Sequence, residues 1–122
     1  MKKIDPQIYP RKFFVLENEK ELELFHGRDG EHERLEMDSS ARGRTWACVE
    51  KETGDLGVAV LYNNVWFDTI AHEAVHVADI IFQDLDACFT LEDDETHAYM
   101  VGWVAKCIGE ALNLKIVKSK KK

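Results

Sequence analysis

The chain has 122 residues, of which 45% are apolar and 32% charged, with a formal net charge of -7. That length suits one domain with a real core, and the composition excludes collagen-like, coiled-coil and wholly disordered classes. The acidic balance argues against non-specific nucleic-acid binding, because such a surface releases no counterions from phosphate. No apolar run approaches the roughly 20 residues that span a bilayer, and Met1-Lys2-Lys3-Ile4-Asp5-Pro6 lacks the hydrophobic stretch of a signal peptide. A single cytoplasmic domain over residues 1–122, with neither membrane nor nucleic acid as partner, is the expectation. Cys48, Cys88 and Cys107 form no C-x-x-C pair and read as buried thiols rather than a disulfide framework.

Residues 1–10 hold both prolines and read as an irregular lead-in to a first strand, Lys12-Phe13-Phe14-Val15-Leu16. Asn18 and Glu21 have capping-box spacing ahead of a short helix that Gly27 is placed to end. Residues 27–43 are polar and glycine-punctuated, the pattern of a long loop. Two β-prone runs, residues 45–49 and 57–62, flank the turn-rich Glu52-Thr53-Gly54-Asp55 and predict a hairpin. After Asn63-Asn64, read as helix caps, helical spacing runs from about 65 to 83 through Ile70, Ala74, Val77, Ala78 and Ile81. A second long helix is expected from Thr90, with capping-box spacing to Asp93, to about Leu112. The basic residues at 114–122 read as a solubilising tail. Trp46, Trp66 and Trp103 fall in predicted elements and read as core or cleft walls.

The segment His72-Glu73-Ala74-Val75-His76 carries the chemistry. Residues four apart on an α-helix lie about 40° apart around its axis, so two imidazoles can reach one ion. Zinc favours such donors, and catalytic zinc takes three protein ligands with water in the fourth position. Glu73 projects from a neighbouring edge of the same face and suits a general base toward that water. A shuffled chain of this composition would contain the pattern with a chance of roughly 2%, so context has to add weight. It does so in three ways. The motif sits in an apolar helix where unpaired polar groups would be costly. Asp79 lies on the same helical face, about 20° from His72, and could orient a ligand. An acidic cluster, Glu92-Asp93-Asp94-Glu95, opens the next helix. His26 and His32 have no fixed mutual geometry and read as surface residues.

With these residues in place, the chain resembles the zincin metallopeptidases, and more narrowly the gluzincin pattern of H-E-x-x-H completed by a glutamate on a following helix. The segment from Glu92 to Trp103 is also similar to small zincin-like metallopeptidases encoded by phages and prophages. The resemblance covers roughly residues 43–110. It implies an α+β, minimal zincin-like fold, a small twisted sheet packed on the motif helix and followed by a second long helix. It also implies zinc as cofactor, a peptide or protein substrate, His72 and His76 as ligands, Glu73 as base and Glu95 as third ligand. Asp94, Glu92 and His97 remain open as replacements for Glu95. Tyr99, four residues after Glu95, would offer a hydrogen bond to a developing oxyanion or, more plainly, close the core as a buried tyrosine. The 56–62 strand would be the edge that receives an extended peptide. No C-terminal lobe walls the cleft, which keeps a second reading open: a catalytically silent zincin scaffold that acts on a partner by contact.

Overall fold

Side-chain alternation decides the layering. Phe13 and Val15 enter one core, and Phe14 and Leu16 enter another on the opposite face of the sheet, as a two-residue period demands. The computed structural model describes residues 1–5, 11–30, 33–84 and 94–113, the side chains of 94–96 excepted. Over these the fold is α+β. Its elements are β1 Lys2–Ile4, β2 Lys12–Val15, a 3-10 helix Glu19–Leu24, β3 Phe25–Gly27, β4 Gly43–Glu50, β5 Leu56–Tyr62, α1 Phe67–Asp84 and α2 Asp94–Ala111. The strands form one sheet in the order β1-β2-β5-β4-β3, with β2 and β5 parallel and the other neighbours antiparallel.

The expected hairpin forms as β4 and β5, in register from Gly43 opposite Tyr62 to Val49 opposite Leu56. Val58, Val60 and Tyr62 face the helices, while Ala59 and Leu61 face the second core with Phe25 and Trp46. This arrangement overturns the reading of 56–62 as an edge. β5 lies between β2 and β4, and its continuous apolar run reflects burial on both faces. The open edge belongs to β4. Because β3 pairs only with residues 48–50, residues 43–47 have no strand on their outer side among the described residues.

Local expectations fared unevenly. The lead-in contains a strand, since Lys2–Ile4 pairs with β2, while residues 6–10 lie outside the described residues. The cap at Asn18 forms: its side chain accepts from Glu21 N at 3.2 Å, and the Glu21 carboxylate accepts from Glu17 N at 2.6 Å. Gly27 closes β3 instead of the short helix. Asn63 caps nothing. Its side-chain amide donates to Ala41 O at 2.8 Å and its backbone N–H to Arg42 O at 2.7 Å, which fastens the 38–42 loop to the end of β5.

α1 buries Ile70, Ala74, Val77, Ala78 and Ile81 in the core that Met100, Val104 and Ile108 of α2 complete, the i, i+3, i+4 stripe of an amphipathic helix. Its far end is anchored by charge. Asp84 accepts two hydrogen bonds from Arg28, one at 3.0 Å, and one from Arg11 at 3.2 Å. Two guanidiniums thus offset the repulsion between a carboxylate and a helix C-terminus. No helix among the described residues is long and apolar enough to cross a membrane. The predicted start of α2 at Thr90, Cys88 and the tail at 114–122 all lie outside the described residues.

Cys48 is fully buried, and burial pushes its thiol up to about 12 from an ordinary value of 9.0. A raised folded-state value holds the proton in the folded chain after the unfolded thiol has lost it. Folding stability should therefore fall as pH rises from 9.0 toward about 12, with a slope approaching about 1.4 kcal/mol per pH unit. Urea titrations at pH 8 and pH 11 check this. Cys48→Ala should flatten the alkaline decline, and an undiminished slope in that variant would contradict the assignment.

Candidate metal centre

The apolar stripe of α1 that faces the core leaves the opposite stripe to solvent, and His72 and His76 lie on it one turn apart, so the expected cost of burying the motif's polar groups falls on Glu73 alone. Their Nε2 atoms converge to 3.2 Å, with ring centroids 4.8 Å apart and planes at 73°. That distance suits an N–H···N hydrogen bond between complementary tautomers. It also suits two ligands of one zinc ion: Zn–N distances of about 2.0–2.1 Å and a tetrahedral angle separate two nitrogens by about 3.3 Å. The spacing of these two imidazoles fits two of the positions around such an ion.

Glu73 occupies a different environment, only 5% exposed. A carboxylate buried so deeply needs hydrogen bonds. Thr45 of β4 supplies one, donating its hydroxyl to Oε1 at 2.7 Å, while Oε2 lies 3.9 Å from His72 Nε2. One oxygen is tied to the sheet and the other is turned toward His72. Close approach of strand and helix makes this possible, and Gly43 permits it. A Cβ at position 43 would sit 2.9 Å from Tyr62 Cδ1 and 3.1 Å from Glu73 Cγ. Tyr62 beneath them has its hydroxyl pKa raised, first by burial and then by the negative charge of Glu73. Thus it stays neutral. Between the open edge of β4 and α1 run two hollows of about 360 Å³ each, which share Gly43, His72 and Glu73. Arg42 and Asp68 border one hollow, His76 and Asp79 the other.

The other expected site residues are placed less simply. Glu95 belongs to the first turn of α2, the turn that also carries His97, but its side chain and that of Asp94 lie outside the described residues, as does Glu92 entirely. Among the described residues no group of three His, Cys, Asp or Glu could hold a metal, so His72 and His76 stand as a pair. His97 Nε2 contacts Asp79 Oδ1 at 2.7 Å, and its ring lies 5.4 Å from that of Phe82. Asp79 therefore bonds His97 of α2, itself one of the candidate ligands, rather than either motif histidine. Tyr99 is 74% exposed and borders neither hollow, so it does not close the core. Trp46 is buried; Trp103 meets Phe13 edge-on but is itself exposed, and Trp66, 61% exposed, is no core residue. His26 is half-buried against Gly27 O, and His32 lies outside the described residues.

Thr45 and Gly43 are the site residues that motif spacing could not find. Thr45 alternates with buried Trp46 along β4, which marks it as facing the helix side, but its partner is 28 residues away. Set against protein-family models, curated proteins and solved structures, the chain matches none. Function has to be argued from the site's chemistry.

Thr45→Val leaves a buried carboxylate without its donor and should cost about 1.5–3 kcal/mol of folding stability. Thr45→Ser keeps the hydroxyl and should lose well under half of that. Chemical denaturation of the two variants decides it: equal losses would mean that the hydroxyl does not support Glu73.

Proposed function

We propose that the chain is a zinc-dependent metallohydrolase that cleaves peptide bonds, with Glu73 as general base. The convergence of His72 and His76 on one point, beside a carboxylate with a single oxygen engaged, carries this reading. His72 and His76 would hold the ion, with Glu95 of α2 as third ligand. Bound zinc supplies Lewis acidity, polarising a carbonyl and bringing water's pKa down to about 7. Glu73 takes the proton at Oε2, the oxygen that Thr45 leaves available, and delivers it to the departing amine nitrogen. A buried base that is held at one oxygen loses little orientational freedom when the substrate arrives.

The edge at residues 43–47, unpaired among the described residues, supports a peptide or protein substrate, because backbone N–H and C=O groups there can pair with an extended chain beside Glu73. This is the role first expected of the 56–62 strand, moved one strand along. The net charge of -7 weighs against nucleic acid as partner.

Glu73→Gln should retain stoichiometric zinc and lose about 10²-fold or more in cleavage of a diverse peptide library. His72→Ala should lose the zinc. Cleavage by Glu73→Gln at the parent rate would end the general-base assignment. A parent that binds zinc and cleaves nothing in the library would favour the catalytically silent scaffold.

A further inference from the structure

The surfaces that join α1 to α2 are mainly apolar: Ala74, Val77, Ala78 and Ile81 on one side, Met100, Val104 and Ile108 on the other. Such contacts are non-directional. Their interdigitation sets the register of the helices approximately, to the extent that side chains can adjust. A slip of one residue moves a helical position by about 1.5 Å along the axis and about 100° around it. A metal ligand tolerates only about 0.2 Å. A directional contact sharpens the placement of the first turn of α2 if that turn is to serve a site on α1.

Asp79 and His97 form such a contact. Asp79 lies three residues beyond His76 and borders the same hollow as His72, Glu73 and His76. Its Oδ1 accepts from His97 Nε2 at 2.7 Å, and since a carboxylate only accepts, Nε2 carries the proton. The His97 side chain is 13% exposed and rests against Phe82 while that of Asp79 is 38% exposed, so the bond is half-buried and its direction is constrained on the His97 side by packing. His97 stands two residues after Glu95.

We infer that Asp79 and His97 are a positioning pair, which sets the first turn of α2 against the motif helix so that a ligand from that turn reaches the ion held by His72 and His76. This rests on the zinc reading above. Neither residue touches the metal in this role. Each acts through the placement of α2.

Zinc affinity, measured by competition with a chromophoric chelator for the parent, Asp79→Ala, His97→Ala and the double variant, tests the pair, with apo-protein melting recorded alongside. Each single variant should bind zinc about 10-fold or more weakly. The double variant should be no weaker than the worse single, because both remove one contact. Asp79→Asn keeps an acceptor oxygen and should stay within about 3-fold of the parent. Single variants within 2-fold of the parent would overturn the positioning role and leave the metal assignment standing. Losses that add in the double variant would overturn it too, showing that Asp79 acts through its charge. A loss equal in Asp79→Asn and Asp79→Ala would do the same. A parent that takes up no zinc would overturn the metal reading and the pair's role together.

Discussion

Glu73 is a carboxylate with 5% exposure, and the hydroxyl of Thr45 keeps it there. Burying an ionisable oxygen pair beneath a helix is unfavourable unless the surrounding structure donates to it. Much of the local architecture follows from meeting that demand. β4 must pass close enough to α1 for a threonine to reach, hence the glycine at 43 and the absence of a larger side chain between Tyr62, Thr69 and Glu73. β4 must also present residue 45 to the helix side, which the alternation through Trp46 and Cys48 secures. The result is a helix face on which two exposed histidines stand next to an immobilised carboxylate.

The sheet is also lopsided beside Glu73. β3 reaches only as far as residue 48 of β4, and the 38–42 loop is drawn aside by the hydrogen bonds of Asn63. Among the described residues the stretch of β4 beside Glu73 has no strand on its outer side. Exposed strand edges are a liability that proteins usually cover. Here the open edge is short and lies along the groove that contains Glu73, which is the geometry in which a liability can become a binding surface.

How much of this was legible in the residues depends on the range of the interaction. The periodicity of Ile70, Ala74, Val77, Ala78 and Ile81 marked α1, the turn residues between two β-prone runs marked the hairpin, and Asn18 with Glu21 marked a cap. Each is local. Strand order was not legible, because an apolar run such as 57–62 reports that a strand is covered without saying which strands flank it. Nor was the partner of a polar group. Asn63 has the composition of a helix cap and instead serves a loop, Asp79 has the spacing of a ligand's support and serves α2, and Thr45 meets Glu73 across 28 residues. Tyr99 and Trp66 failed for a related reason: aromatic character predicts burial on average, but Tyr99 lies off the core-facing stripe of α2 and Trp66 precedes α1 altogether.

His72 and His76 as a zinc pair is the claim on which the functional account rests, and X-ray absorption at the zinc edge addresses it without a substrate. For protein loaded with one equivalent of zinc, the account predicts a light-atom shell at about 2.0–2.1 Å with the outer-shell scattering of two imidazoles. A sulfur shell at about 2.3 Å, a shell without imidazole scattering, or failure to retain one equivalent would contradict it.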